Sequence, residues 1–473
     1  MFYTMSNFLR KFLSMILPFF VVMSLSAQTV VTGQTAPEVV KLMGTGWNLG
    51  NTLDATGKKD VSSETYWGNP KTTQEMITEV KKAGFNTVRI PVSWGDHTFQ
   101  SGDVRFKIDE QWIARVKEVV DYCYNNKMFV ILNIHHDTNK SYYYPASSYK
   151  EQSETFVREI WTQVAAAFAD YDQHLIFETL NEPRLVGTDY EWWFDVNNIP
   201  ASVKEAIEII NDLNQIAVDA IRDNGSDFNK ERVIICPGYG ASVDGCQNKL
   251  FQLPSDKGGA PNRVAVSVHA YAPSALCLGD MSTTKFTSNM KWDIEWHFRT
   301  LNELYKSNDI AVVMGETSVS NKNNLSDRLK WVDAFYGYSK SFGIPCVLWD
   351  NNAYVNSSNA GEAHGYLNRK GLTWYEDGKA VVDRIMNVLG IRDTMGVGDV
   401  EADLDVYVTF ADDNMYVNND DQIVKVTLYG LGGSVVFETN KGGSYNLGYL
   451  NKGVYVICVD TQNGRIVRKI MNQ

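Results

Sequence analysis

Leu175-Ile176-Phe177-Glu178-Thr179-Leu180-Asn181-Glu182-Pro183 is the stretch on which the fold turns. Its first six residues make a nearly continuous apolar run of strand length, stopped by Asn-Glu-Pro, and read as a parallel strand buried on both faces. The run Ile310-Ala311-Val312-Val313-Met314 has the same form and is followed at once by Gly315-Glu316-Thr317. Six further runs match them: Gly44–Leu49, Thr87–Pro91, Met128–Ile134, Arg232–Cys236, Val264–His269 and Pro345–Trp349. Between most of these lie segments with apolar residues at three- and four-residue steps, namely Thr72–Ala83, Asp109–Asn125, Glu151–Ala169, Ser202–Asp223, Lys291–Lys306 and Leu325–Ser341. A fifth helix is poorly marked, since Lys249–Lys257 is short and holds Pro254. Eight strands alternating with helices predict an α/β fold, a (β/α)8 TIM barrel.

In such a barrel the C-terminal strand ends converge on one face, so residues distant in sequence meet there. The predicted strand ends carry Asn48 and Asn51, Arg89, His135-His136-Asp137, Asn181-Glu182, His269 and Tyr271, Glu316, and Trp349-Asp350. Polar and aromatic groups thus crown an apolar barrel at one end. Two carboxyl groups at one rim suit cleavage of a glycosidic bond, in which one is protonated and the other ionised. Glu182, between Asn and Pro at a strand end, has no ready structural task. Arg89 alone could be an ion-pair partner only, and His135-His136 could be a satisfied pair beneath a loop.

The 473-residue chain is long enough for a large barrel plus a small module, and 44% hydrophobic content is ample for the core. A net charge of −12 with no basic run argues against nucleic acid as a partner. Twelve Trp and 24 Tyr fit a cleft that stacks sugar faces, although large barrels also bury many aromatics. At the N-terminus Arg10-Lys11, the apolar run Phe12–Leu25 and Ser26-Ala27 follow the order of a secretory signal peptide. That run is short for a membrane span and holds Pro18, and no other segment approaches spanning length. Residues 1–27 are therefore expected to be a leader, with the mature protein secreted or at the cell surface. Its removal takes Arg10 and Lys11 and brings the charge to −14. Six cysteines without zinc spacing describe neither a disulfide framework nor a metal site, although Cys236 and Cys246 could pair.

The segments GWNLGNTLDA, ETYWGNP, VRIPVSW, TLNEPR and HAY, in this order between Gly44 and Trp374, make the chain resemble glycoside hydrolase family 5, in its endoglucanase-like subfamily 4. The resemblance implies Glu182 as acid/base and Glu316 as nucleophile. It implies Asn181 for the sugar 2-hydroxyl, Arg89 and Tyr271 for holding the nucleophile ionised, and His135 and His269 beside the scissile bond. Trp349 would lie under the sugar there, and Trp67, His136 and Asn51 would help bind substrate. The substrate implied is a β-1,4-glucan, including mixed-linkage glucan or xyloglucan, with an endo-β-1,4-mannanase as the alternative. Neither metal nor cofactor is expected. After Glu316 the chain reads Thr317-Ser318, where relatives vary.

The chemistry is sensible without the family. Retaining cleavage needs two carboxyls about 5–5.5 Å apart, one attacking the anomeric carbon and one donating a proton. A guanidinium such as Arg89 favours a charged nucleophile. Partial burial and the partner's charge should raise the acid's proton affinity. Two rival readings of these residues are a metal-dependent hydrolase using His135, His136, His269 and Asp350, and a non-catalytic polysaccharide-binding protein. Trp192-Trp193-Phe194 reads equally as exposed loop or sugar platform.

Beyond Gly390 the texture changes. Residues 391–402 suit a linker after a catalytic domain over 28–390, and 403–473 read as a small all-β sandwich module. Its strand candidates are Asp405–Phe410, Met415–Asn418, Ile423–Tyr429, Ser434–Glu438 and Val454–Val459. The module resembles the sorting domains of type IX secretion, on the stretch Val426–Val436 and the closing Arg465–Ile470. That resemblance implies outer-membrane secretion machinery as a partner. A monomer is expected otherwise.

Overall fold

A computed structural model describes residues 30–279, 283–354, 362–391, 408–411, 414–417, 423–430, 433–461 and 464–472. The expected leader and nearly all of the expected linker lie outside these residues. The eight strands are β1 Gly46–Asn48, β2 Thr87–Ile90, β3 Phe129–Asn133, β4 Leu175–Glu178, β5 Ile234–Pro237, β6 Val264–His269, β7 Val312–Thr317 and β8 Cys346–Leu348. They close into one all-parallel barrel in which each strand pairs with its neighbours in sequence and β1 pairs with β8. All eight expected runs supply a strand.

Alternation along each strand sorts side chains to the two faces. Leu175 and Phe177 of β4 join the core between barrel and helices, whereas Ile176 belongs to a second core inside the barrel. That inner core holds Ile131, Ile176, Ile235, Ala265, Val313 and Val347, and the N-terminal helix Ala36–Met43 packs beneath it through Ala36, Val39, Val40 and Met43. Going up the barrel, the next inward positions turn polar: Arg89, Asn133, Glu178 and Ser267 are all buried. An apolar floor therefore supports a polar layer, and the rim lies above it.

The outer helices are α1 Gln74–Lys82, α2 Glu110–Asn125, α3 Lys150–Ala167, α4 Ala201–Asp223, α5 Val243–Gln247, α6 Met290–Leu304, α7 Leu325–Phe342 and α8 Glu376–Leu389. Their starts follow cap chemistry where the sequence supplies it: the Asp109 carboxylate accepts from the backbone of Gln111 and Trp112 at the head of α2. The expectation of a helix over Lys249–Lys257 is corrected. The fifth helix is the five-residue α5, capped by Ser242, and Asn211 and Gln215 of α4 bind the backbone of residues 250, 252 and 255 instead. Pro254 bars a helix there. Outside the expected set are the helix Ala36–Met43, α8, and a hairpin of Thr98–Ser101 with Val104–Ile108.

In the C-terminal region, Val408–Ala411, Asn414–Val417 and Gly443–Asn446 form one antiparallel sheet. Val435–Thr439, Ile423–Gly430, Gly453–Thr461 and Gly464–Asn472 form a second. Met415 and Val417 of the first share a core with Val426, Leu428, Ile457 and Val459 of the second.

The inner floor generates a stability prediction. Truncating Met43 to alanine should cost about 2–4 kcal/mol, because the side chain is wholly buried under the barrel. Urea unfolding of the protein measures it, and a loss near zero would mean that the helix does not seal the floor.

Candidate active site

Glu316 does not reach the rim by simple alternation. Val313 faces inward and Met314 outward, which would send the residue two positions after Met314 outward as well. A register shift intervenes: Val268 pairs with Met314, but His269 pairs with Glu316. The extra residue, Gly315, re-aims the strand so that Glu316 points into the barrel. A Cβ on Gly315 would lie 3.2 Å from His269 Nε2 and 3.3 Å from Glu178 Oε1. Glycine is what that closeness allows.

Arg89 organises the polar layer. Its Nε donates to Glu178 Oε2 at 2.8 Å, and Nη2 also lies 2.7 Å from that oxygen. Nη1 donates to Asn48 Oδ1 at 2.9 Å and to Glu316 Oε1 at 2.7 Å, while Nη2 donates to Asn181 Oδ1 at 2.7 Å. The Tyr271 hydroxyl donates to the other Glu316 oxygen at 2.8 Å. Both Glu316 oxygens therefore accept from strong donors, an arrangement suited to a carboxylate. The charge of its carboxylate partners outweighs burial and holds Arg89 above the ordinary arginine range.

Glu178 was not among the residues singled out from the sequence. It accepts from Arg89, from Asn133 Nδ2 at 2.8 Å and from the Ser267 hydroxyl. Burial works against its charge, yet Arg89, then His269 and Ser267, bring it down to about 2. The available signal was a charged residue inside a buried strand, which must find a partner.

Glu182 sits on the loop after β4, less buried than Glu316. Its Oε1 lies 2.9 Å from His269 Nδ1, and the Arg184 guanidinium is 3.6 Å from Oε2. The expectation of a raised proton affinity is overturned in the free protein. Burial does raise it, but the hydrogen bond and charge of His269, with Arg184 and His136 adding, bring it below the ordinary carboxylate value. His269 shifts the other way, up to about 9, because Glu316, Glu178 and Glu182 outweigh its burial. A carboxylate oxygen of Glu182, one of Glu316 and a ring nitrogen of His269 all lie within 4.8 Å of one another.

The two histidines after β3 divide. His135 is buried, and its Nδ1 lies 3.1 Å from Asn133 Nδ2. Because Asn133 Oδ1 accepts from the Val92 backbone, its nitrogen is the donor. His135 therefore carries its proton on Nε2. Burial, with neighbouring cations, keeps this ring well below the ordinary histidine value and so neutral. It stacks parallel to Trp349 at 5.9 Å. His136 is more exposed, 3.5 Å from Asp54, and tilted 5.5 Å from the Trp67 ring. Asp54 overcomes burial and raises it.

Trp349 is seated by Gly50, where a Cβ would come within 2.7 Å of the indole and 2.9 Å of the Asp350 carbonyl. Trp67 is 42% exposed. Asn51 has a left-handed backbone (φ 56°), and its amide is held by Asp54 at 3.0 Å. All eleven expected residues thus lie on loops or strand ends at one face.

The metal-hydrolase set is not assembled, because buried Asp350 is used by Trp47 Nε1 at 2.9 Å, the Leu367 amide at 3.0 Å and Arg369. The Asp54, His135 and His136 donors also lie within 4.8 Å of one another. Cys236 and Cys246 are separate buried thiols and do not pair. Phe194 packs edge-on to Tyr239, while Trp192 and Trp193 are 66% and 69% exposed, with the Arg184 guanidinium 3.8 Å over Trp192. The loop after Glu316 is tied by Ser318, whose hydroxyl meets Tyr366 at 2.7 Å and His364 at 2.9 Å.

The cellulase family, glycosyl hydrolase family 5, matches residues 53–355. Endoglucanase A of Clostridium longisporum is 40% identical over 351 residues, 72% of this chain and 64% of that protein. The chain thus spans somewhat less than two thirds of that relative's length. A broad specificity endoglucanase from Ruminococcus flavefaciens, of subfamily 4, is 45% identical with a TM-score of 0.69, covering 76% of this chain and 100% of that one. A family 5 lichenase from Caldicellulosiruptor sp. F32, solved with cellotetraose, is 40% identical with a TM-score of 0.70, covering 77% and 97%. A family match over more than half of the chain, joined to the same barrel, leaves one conclusion: the chain belongs to the cellulase family, glycosyl hydrolase family 5.

Proposed function

We propose that the protein is an endo-acting β-1,4-glucanase of subfamily 4 that cleaves with retention, through a covalent glycosyl-enzyme. The observation that carries this reading is the approach of Glu182 and Glu316 to within 4.8 Å, oxygen to oxygen. Retaining pairs stand about 5–5.5 Å apart, whereas inverting pairs need roughly 6.5–9.5 Å to admit a water.

Glu316 attacks the anomeric carbon. Arg89 and Tyr271 occupy its two oxygens and orient it toward the sugar. Glu182 delivers a proton to the departing glycosidic oxygen. Once the ester has formed Glu316 is neutral, and ionised Glu182 takes a proton from the attacking water. Asn181 has its oxygen engaged by Arg89, which leaves the amide nitrogen for the sugar 2-hydroxyl. His135 Nε2–H and the stacked Trp349 offer a donor and an apolar platform to the same sugar, with Trp67, His136 and Asn51 further along the cleft.

The same reading takes residues 1–27 as a removed leader, 391–402 as a linker and 403–473 as a sorting module for type IX secretion, with a monomeric enzyme outside the cell or on its surface. Its support is the Arg10-Lys11 and Phe12–Leu25 order and the C-terminal sheets. Among the described residues no helix is long and apolar enough to cross a membrane. Mass analysis of the extracellular protein tests it, and an intact end at Gln473 would sink removal of the module.

Glu316→Gln should lower kcat on carboxymethylcellulose about 10⁴-fold or more. Glu182→Gln should lose roughly 10²–10⁴-fold, with less loss on aryl cellobiosides whose leaving group needs no proton. Proton NMR of a cellohexaose digest should show the β-anomer first, and α-anomer first would exclude retention. Parallel digests of xyloglucan and mannan oligomers rank the substrates, and preference for mannan would replace the glucanase reading by the mannanase one. Gly50→Ala should push Trp349 out of place and raise KM roughly tenfold. An unchanged KM would remove Trp349 from the sugar platform.

A further inference from the structure

Three carboxylates, Glu178, Glu182 and Glu316, converge at the top of the barrel, the first and last on the Arg89 guanidinium and Glu182 3.6 Å from that of Arg184. His269 is wedged between the three carboxylates. Its Nδ1 meets Glu182 at 2.9 Å and stands 3.8 Å from Glu316, while Nε2 faces Glu178 Oε1 at 3.8 Å and Arg89 Nη2 at 3.4 Å. Glu178 takes no part in the proposed bond cleavage, yet it is the most deeply buried of the three and the most fully bonded.

We propose that Glu178 is a positioning residue that keeps a proton on the His269–Glu182 pair, by presenting a fixed negative charge to the imidazole edge turned away from Glu182. This rests on the glucanase reading and deepens it. Three carboxylates against two guanidiniums, Arg89 and Arg184, leave an excess of one negative charge, and an imidazolium at His269 offsets it. Arg89, Asn133 and Ser267 all donate to Glu178, so its carboxylate stays ionised and cannot itself take that proton. The proton therefore rests on His269 and is shared with Glu182 across their 2.9 Å hydrogen bond. When a sugar chain displaces water from the cleft, the neutral pair, imidazole beside carboxylic acid, becomes the better form. Movement along that one bond then arms the acid, with no proton drawn from solution.

The neighbours act consistently. Around the imidazole stand Arg89 from β2, His135 and His136 after β3, Glu178, Glu182 and Arg184 on and after β4, Tyr271 after β6 and Glu316 on β7. His135 is neutral and Tyr271 is a neutral donor, both held so by burial. Arg89 and Arg184 oppose a further positive charge, so the three carboxylates alone retain it. The raised value of His269, about 9, agrees with this geometry. Its sign is that of a group charged below that pH and losing its proton above it.

The test is the pH dependence of kcat/KM for Glu178→Gln, which keeps the shape and removes the charge. The alkaline limb should move to lower pH by roughly 1–3 units, the range for one close charge. Glu178→Asp should restore much of the shift. A folded Glu178→Gln protein with lower activity at every pH but an unmoved alkaline limb would overturn the proposal. A second measurement needs neither substrate nor a Glu178 variant: a ¹⁵N-histidine NMR titration of the native chain, with His269 assigned by its absence in His269→Asn. His269 should titrate above the ordinary value of about 6.5, and a midpoint at or below it would overturn the proposal. If the protein cleaves no β-glucan while the His269 midpoint is high and falls in Glu178→Gln, the glucanase reading fails and the proton-holding role of Glu178 stands.

Discussion

The buried guanidinium of Arg89 is the constraint around which the catalytic face is arranged. An isolated cation inside the barrel would be prohibitively costly, so its donors must all find acceptors. They do so on β1 through Asn48, on β4 through Glu178 and the adjoining Asn181, and on β7 through Glu316. One side chain therefore ties together three strands that are not sequence neighbours. Removing either carboxylate partner would leave charge uncompensated, at about 3–5 kcal/mol for a buried pair. Glu178 answers that cost without touching substrate, so Glu316 is not the sole counter-charge of Arg89.

Strand alternation and one interruption of it explain how the polar layer rests on an apolar floor. Inward positions low on the strands are Ile131, Ile176, Ile235 and Val313, sealed by the N-terminal helix. The positions above them are Asn133, Glu178, Pro237 and Gly315, where the barrel changes from packing to hydrogen bonding. Regular pairing would have buried Glu316 among the outer helices. The shift at Gly315 turns it inward, and the missing side chain leaves room for His269 and Glu178 to approach. Fold and site are joined at that glycine.

Much of this was legible in the sequence. Eight strands, their order and the crowding of polar residues at their C-terminal ends follow from apolar runs and what stops them. Glu178 was passed over because it lies within such a run, where composition suggests packing and only pairing in three dimensions supplies its reason. The lowered proton affinity of Glu182 was equally hidden. Burial alone predicts the opposite, and the balance depends on a 2.9 Å contact with a residue 87 positions away. Helix α5 was obscure because five residues show no periodicity, and helix Ala36–Met43 because its apolar face meets the inside of the barrel rather than its flank.

The kinds of donor around the two rim glutamates also account for their different proposed roles. Glu316 is bound by a guanidinium that does not titrate in the working range and by a phenol that burial keeps protonated. Neither can give up a proton to it, so its surroundings are constant through a cycle of attack and release. Glu182 is bound by an imidazole, the one donor among these that can pass its proton to the carboxylate it meets. A nucleophile needs fixed neighbours, since any proton passed to it would stop attack. An acid/base needs a neighbour that can hold its proton while it is ionised and return it when the leaving group arrives. With Glu178 loading the far side of that imidazole, two chemically identical side chains within 4.8 Å of each other are set to opposite tasks.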